Sequence, residues 1–142
     1  MAISFQNQDI AFTLKEKTKI RSWIKQIIAA EKKQPGQLSF VFTSDAALLE
    51  VNQQFLDHNT YTDIITFDYC EGKTVNGDIL ISVERVRENA QKFGATADAE
   101  LKRVIIHGVL HLCGYKDKSK ADAALMRKKE DWALRKFQLK QE

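Results

Sequence analysis

The sequence is poor in cysteine, proline and histidine: its 142 residues include two cysteines, one proline and three histidines. With only Cys70 and Cys113, the chain cannot form the dense disulfide framework of a small secreted domain. No apolar run approaches the roughly 20 residues that a membrane-spanning helix needs. Residues 1–7 lack the basic segment and apolar core of a signal peptide. We therefore expect a cytoplasmic protein that does not enter a membrane.

A large excess of one charge is also missing. The 22 basic and 19 acidic residues leave a formal net charge of +3, which permits an anionic partner but is less basic than is usual for a duplex-DNA binder. Hydrophobic residues make up 44% of the chain, and a chain of this length can bury about two thirds of its unfolded surface. Because no repeat, linker or low-complexity segment interrupts it, we predict a single domain over residues 1–142.

Apolar periodicity predicts both strands and helices. The strands are predicted at residues 2–7, 38–43, 63–69 and 77–82. The helices are predicted to begin near Thr13, Ser44, Ser82, Thr96 and Ser119, all of which are good N-cap residues. The segment 13–16 has the form of a capping box, residues 32–37 a turn, and residues 70–76 a hairpin-like connection. This order predicts an α+β domain whose sheet is covered mainly by helices.

Two of the three histidines lie in one turn of a predicted apolar helix. His107 and His111 are four residues apart, so their imidazoles share one helical face. Gly114 can end this helix in a left-handed conformation and turn the chain back, which brings Asp117 near the same point. Two imidazoles and a carboxylate are a ligand set for one zinc ion, with a fourth position left for water. The alternative is a pair of core histidines, which requires two sets of buried polar partners.

The residue after the first histidine distinguishes this segment from the zinc-protease motif H-E-x-x-H. In that motif the glutamate is the general base, whereas Gly108 stands at this position here. Because glycine can neither take a proton nor position a water, a metalloprotease of that type is disfavoured. The missing side chain instead suggests that something packs close to the helix backbone.

Several segments resemble the YbeY family of bacterial ribosomal-RNA maturation factors. The segment His107-Gly-Val-Leu-His111-Leu-Cys-Gly-Tyr115 is similar to the family signature H-G-x-L-H-L-x-G-Y-D-H. Residues 52–55, 62–67 and 77–81 resemble its L-N-x-x-Y/F, T-D-V-L-S-F and G-D-I-x-I segments, in the same order. The histidine segment is the specific one, and the other three are persuasive only together.

The resemblance implies a YbeY-like metal-dependent hydrolase fold, in which about five helices surround a small mixed sheet of about four strands. It implies one zinc ion, for which His107, His111 and Asp117 stand at the metal positions. It also implies a single-strand-specific endoribonuclease that acts in ribosomal-RNA processing and ribosome quality control. The expected partners are single-stranded or ribosomal RNA and the ribosomal small subunit or its assembly factors.

The chain departs from the family pattern at two places. The third histidine of the family falls at Asp117, and the aspartate before it falls at Lys116; carboxylate remains an acceptable zinc ligand. Leu56 stands where the family usually has an arginine thought to act in catalysis. Lys116, Arg103 or His58 are the candidates for the phosphate contact that this arginine would make.

The residues that support catalysis remain open at this level. Asp63 and Asp78 are candidates for orienting a ligating histidine, and they are equally acceptable as ordinary turn residues at strand ends. No side chain stands out as the general base. Two other functions remain open: a non-enzymatic ribosome-assembly factor with a structural zinc, and a metal hydrolase of another substrate class.

Overall fold

The computed structural model describes residues 3–56 and 62–141, and in these ranges it contains four strands and five helices. In chain order the elements are β1 (Ile3–Asn7), α1 (Lys17–Ala30), β2 (Gln34–Thr43), α2 (Asp45–Leu56), β3 (Ile64–Asp68), β4 (Thr74–Ser82), α3 (Val83–Lys92), α4 (Ala97–Leu112) and α5 (Lys120–Gln141). The predicted α+β class is therefore confirmed.

The four strands form one mixed sheet in the order β1-β2-β4-β3. β1, β2 and β4 run parallel, and β3 is antiparallel to β4. Because side chains alternate along a strand, Phe40 of β2 and its partner Ile79 of β4 share one face. The main hydrophobic core lies on this face, together with the buried residues of α1, α3, α4 and α5. Helix α2 packs against β3 and β4 as well, and Val41 and Ile65, which alternate with that face, are also buried.

Helix α4 approaches the sheet at two glycines. A Cβ at Gly108 would lie 2.9 Å from Cδ1 of Ile64 and 3.1 Å from Cγ2 of Ile79. A Cβ at Gly77, in the strand below, would lie 2.6 Å from the carbonyl oxygen of Phe67 and 2.8 Å from Cδ1 of Leu112. These spaces are too small for another side chain. Gly108 therefore lets the sheet pack against the helix backbone.

The predicted capping box at residues 13–16 is wrong. The N-cap of α1 is Glu16, which has a left-handed backbone (φ 60°, ψ 37°) and makes no capping hydrogen bond through its side chain. Residues 8–16 form an irregular connection in which Leu14 is buried against the core. Because tertiary packing uses this segment to cover the core, the helix begins later than the local pattern suggested.

The predicted turn at residues 32–37 is also wrong from Gln34 onward. β2 begins at Gln34, which pairs with Thr74, so that β4 also begins three residues earlier than predicted. The ladder is irregular between Pro35 and Leu38. On the other side of β2, β1 pairs only from Leu38 onward. Proline is tolerated here because it occupies a position without a strand neighbour on that side.

The other four predicted N-caps are confirmed. The hydroxyls of Ser44, Ser82, Thr96 and Ser119 each accept a hydrogen bond from the backbone N–H three residues later, over 3.0–3.1 Å. Helix α5 is fixed to α1 by the buried Trp23, whose Nε1 donates to the carbonyl oxygen of Ala133 over 2.7 Å. Within the described ranges, no helix is both long and apolar enough to cross a membrane.

We expect Gly77→Ala to lower the free energy of unfolding by about 1–3 kcal/mol, a typical cost of overpacking a core. The obstructing atom is a backbone oxygen, which cannot rotate away. Gly108→Ala should cost less, because the end of the Ile64 side chain can shift and because alanine favours a helix over glycine by about 1 kcal/mol. Urea denaturation of both variants measures the difference. The reverse order of stability would contradict this account of how α4 meets the sheet.

Candidate active site

The end of α4 turns the chain back toward its own histidines. Gly114 has φ +112°, and the N–H of Tyr115 donates to the carbonyl oxygen of Leu110 over 3.1 Å. A long backward hydrogen bond after a positive-φ glycine is the usual way to satisfy the last carbonyls of a helix. The glycine exit that the sequence predicted is confirmed, and it places the following residues beside α4.

Tyr115 anchors the segment that follows this turn. Its hydroxyl donates to Oε1 of Glu31 over 2.8 Å, and the other oxygen of Glu31 lies 2.7 Å from Nζ of Lys129. The same ammonium lies 4.0 Å from the ring centroid of Trp132, which adds a cation–π contact. The end of α1 and the middle of α5 therefore both hold the chain close to Asp117.

The imidazole of His107 lies between two carboxylates. Its Nδ1 is 2.6 Å from Oε2 of Glu130, and its Nε2 is 3.2 Å from Oδ2 of Asp117. Glu130 is on α5 and its side chain is only 6% exposed, whereas that of Asp117 is 44% exposed. His107 thus has a buried carboxylate acceptor at Nδ1 and a more accessible carboxylate oxygen at Nε2.

The charged groups around His107 and Glu130 set the protonation of these two side chains. Burial by itself lowers the pKa of His107, but the hydrogen bond and charge of Glu130, with the charges of Asp117 and Asp63, outweigh burial and raise it. Burial raises the pKa of Glu130, but its bonds to His107 and Arg103 outweigh burial and lower it. Glu130 is therefore held as a carboxylate, which is the form that accepts the Nδ1 proton.

Arg103 completes this network on α4. Its NH1 lies 2.9 Å from Oε1 of Glu130, and its NH2 lies 2.7 Å from Oδ1 of Asp131. Arg103 was one of three candidates for the phosphate contact, and that role stays a prediction. The structure directs its guanidinium to two carboxylates of the protein, where it positions Glu130.

Of the two predicted supporting aspartates, the structure brings Asp63 to the site. Asp63 and His107 line one cleft of about 520 Å³, together with Asp117 and Glu130. Loss of solvation raises the pKa of Asp63, although the charge of His107 acts in the opposite direction. Asp78 lies next to Gly77 and Ile79 in β4, and those two residues face α4. Because strand side chains alternate, Asp78 is directed to the opposite face of the sheet.

His111 borders a smaller pocket on the other side of Asp117. This pocket, of about 330 Å³, is lined by His111, Lys116, Asp117 and Lys118. The predicted candidate Lys116 is therefore adjacent to the site and exposed. His58 lies outside the described residues, and so does the side chain of Leu56.

The side chains of His107 and Asp117 are of types that bind zinc. Two ligands on one tetrahedral zinc ion lie about 3.3 Å apart, close to the 3.2 Å between Nε2 of His107 and Oδ2 of Asp117. Metal-bound histidines usually donate their other ring N–H to a carboxylate, which is the arrangement of His107 and Glu130. In residues 3–56 and 62–141, however, no three histidine, cysteine or acidic side chains stand close enough to hold an ion as they are placed.

Sequence reasoning missed Glu130, although the pattern of α5 contains a signal for it. Between residues 120 and 138, where the burial of this helix is described, the buried positions are Met126, Glu130, Ala133 and Phe137. They are spaced by four, three and four residues, which is the period of a core-facing stripe. A glutamate on such a stripe needs a buried partner, and the partners are His107 and Arg103.

The fold and the site together define a class of protein: a small α+β domain with a histidine–carboxylate centre in a cleft beside its sheet. Comparison with known proteins identifies the family. A family model described as endoribonuclease YbeY matches residues 2–138. The endoribonuclease YbeY of Flavobacterium psychrophilum is 53% identical over 139 residues, which cover 98% of this chain and 99% of that protein. The chain belongs to the endoribonuclease YbeY family.

Two further comparisons agree with this assignment. The endoribonuclease YbeY of Bacteroides thetaiotaomicron is 46% identical over 134 residues, with 94% of this chain and 98% of that protein covered. The solution structure of TM1509 from Thermotoga maritima is similar with a TM-score of 0.65 and 27% identity, covering 97% of this chain and 93% of that one. The predicted resemblance to the YbeY family is confirmed. The predicted enzyme class is confirmed as well, because these relatives are named endoribonucleases, which are hydrolases of RNA.

Replacing Glu130 by alanine should lower the free energy of unfolding by about 1.5–3 kcal/mol, because two charge-assisted hydrogen bonds are lost. The matched control is Asp131→Ala, which removes the neighbouring partner of Arg103. Its side chain is 45% exposed, so this change should cost less than about 1 kcal/mol. Equal losses in urea denaturation would show that the buried contact with His107 adds nothing to stability.

Proposed function

We propose that this protein is a zinc-dependent, single-strand-specific endoribonuclease that acts in ribosomal-RNA maturation and ribosome quality control. Membership of the endoribonuclease YbeY family supports RNA as its substrate. The observation that carries the zinc dependence is the position of His107, between Glu130 at 2.6 Å and Asp117 at 3.2 Å. The ribosomal small subunit or its assembly factors are the partners that such a role implies.

The ligands in this proposal are His107, His111 and Asp117. A bound zinc ion would supply a Lewis acid and an activated water at neutral pH. Glu130 keeps the Nδ1 proton on His107, so that the lone pair of Nε2 is directed toward Asp117. Arg103 fixes Glu130 through one bond and shares its charge with Asp131. The carboxylate at position 117 does for this chain what the third histidine does in the family signature.

The remaining residues of the cleft bind and shield the reacting group. Asp63 is half-buried just before β3 and lines the same cleft as His107; burial raises its pKa, which suits a carboxyl that exchanges a proton during the reaction. Lys116 and Lys118 border His111 on the open side, where they can neutralise phosphates of a bound strand. In this arrangement Lys116 takes over the contact that the arginine missing at Leu56 would make.

We expect Asp117→Ala to lose bound zinc and RNA cleavage together while the protein remains folded, because this side chain is 44% exposed and contacts the edge of His107 in the cleft. Asp117→His restores the ligand type of the family signature and should recover both. Zinc content is measured by elemental analysis of protein purified without chelator, and cleavage with a labelled single-stranded RNA. Asp131→Asn is the control, since its carboxylate does not contact His107.

The same variants distinguish the alternative functions. A non-enzymatic assembly factor with a structural zinc predicts that Asp117→Ala melts at a much lower temperature but that wild-type protein cuts no RNA. A hydrolase of another class predicts chelator-sensitive cleavage of casein or simple esters in place of RNA. Wild-type protein that contains no transition metal and ignores added zinc would exclude the proposed chemistry.

Replacing the 2′-hydroxyl by hydrogen at the cleaved position tests which group attacks the phosphorus. If a zinc-activated water attacks, the deoxy substrate should still be cut at this position. If the ribose hydroxyl attacks, cutting at this position should stop while binding persists. A duplex of the same sequence should be cut much more slowly than the single strand, and equal rates would contradict the single-strand specificity.

A further inference from the structure

The cleft that contains His107 and Asp117 continues into a second pocket. This second pocket has a volume of about 370 Å³ and extends toward Leu134 and Phe137. Four residues line both pockets: Phe93, Glu100, Arg103 and Arg127. The two pockets therefore adjoin and form one groove, which we call the α3–α5 groove, leading away from the candidate active site.

Phe93 stands on the rim of this groove and is 71% exposed. Among the large apolar side chains of the described residues it is the most exposed, ahead of Tyr69 at 57% and Leu125 at 48%. A single exposed apolar residue needs no explanation on an open surface. Phe93 differs because it lines a groove that ends at a proposed catalytic centre.

The backbone holds Phe93 firmly in this position. It is the C-cap of α3, and its N–H donates to the carbonyl oxygen of Asn89 over 3.0 Å. Gly94 then turns the chain with φ +67°, and the N–H of Ala95 donates back to Ala90 over 2.9 Å. The ring therefore projects from a hydrogen-bonded turn, so that a flat ligand could stack on it without ordering a loop first.

The two arginines that line the groove differ in whether a carboxylate of the protein already neutralises them. Arg103 is bound by two carboxylates, whereas Arg127 is exposed and no ion pair engages it within the described part of the chain. Glu100 lines both pockets together with these two arginines, and its carboxylate repels anions. A phosphate is therefore favoured beside Arg127, and an uncharged ring is favoured beside Phe93. Asn89, one turn before Phe93, lines the same cleft and offers amide groups to a base edge.

We propose that Phe93 and Arg127 form a nucleotide-binding subsite, in which Phe93 stacks on a base of single-stranded RNA and Arg127 contacts a flanking phosphate. The subsite rests on the proposed function, because it takes the same RNA strand that enters the candidate active site. Stacking on aromatic side chains is how proteins hold single strands without reading their sequence. A base in a duplex is already stacked on its neighbours, so this subsite favours single strands.

The first test uses full-length protein purified without chelator and a short RNA that carries 2-aminopurine, mixed in a stopped-flow instrument and read before product forms. Stacking on Phe93 should change the 2-aminopurine fluorescence in the wild type and not in Phe93→Ala, because the base leaves its neighbours in the strand. We expect Phe93→Ala to raise the Kd about tenfold, and Phe93→Tyr to stay close to the wild type. Leu125→Ala is the matched control, since Leu125 is exposed on α5 and lines neither pocket.

A second measurement separates stacking from a structural role. One base at a time is removed from the RNA, and the loss in affinity is compared between wild type and Phe93→Ala. If Phe93 stacks on a base, one abasic position weakens binding to the wild type and has no further effect on the variant. Equal effects in both proteins at every position would overturn the subsite. Arg127→Gln should reduce the salt dependence of binding by about one unit of slope, and Phe93→Ala should leave the slope unchanged.

The outcomes for the subsite and for the proposed function are distinct. If wild-type protein cuts single-stranded RNA and Phe93→Ala binds it equally well, the subsite is wrong and the nuclease assignment stands. If wild-type protein neither binds nor cuts RNA, the proposed function fails and the subsite with it. If Phe93→Ala binds single-stranded RNA as tightly as the wild type but no longer binds the ribosomal small subunit, Phe93 makes a contact specific to the assembled subunit, and the subsite is overturned.

Discussion

Helix α4 packs against β3 and β4 at a distance that only glycine allows, and the rest of the site depends on this contact. Gly108 lies one residue after His107. The distance between the helix and the sheet at Gly108 therefore also sets the distance between the sheet and the imidazole. Gly77 permits the same approach from the strand side. The glycine between the two proposed ligands, His107 and His111, thus serves packing, whereas the corresponding glutamate of the protease motif serves catalysis.

The second constraint is electrostatic. Burying an imidazole, a guanidinium and a carboxylate is costly unless each charge has a partner. Arg103, Glu130 and His107 meet this requirement by alternating in sign along two helices, with Asp131 and Asp117 at the exposed ends. The same alternation leaves Nε2 of His107 facing the accessible Oδ2 of Asp117, and these are two of the atoms that the proposed zinc site uses.

The groove beside the site follows from the way the three helices meet. The turn from α3 to α4 projects Phe93, and α5 contributes Arg127 only one residue after the buried Met126. An exposed cation and an aromatic ring on two different helices are brought together only because α4 packs against both α3 and α5. If the proposed subsite binds a base, it gives the proposed single-strand preference a physical origin outside the proposed metal ligands.

Local sequence determined the element types, four of the five N-caps and the glycine exit of α4, because each depends on residues within one or two turns of each other. It also predicted that Asp117 lies near His107, although the contact of Tyr115 with Glu31 holds that segment in place. Local sequence gave the wrong start for α1, because burial of Leu14 in the core overrides the local capping pattern. It also gave the wrong start for β2, because Gln34 pairs with β4. The roles of Glu130, Arg103 and Phe93 were decided only by tertiary structure. Their partners are more than twenty residues away in sequence or lie on another helix, and no local pattern states which side chains will meet when α5 packs against α4.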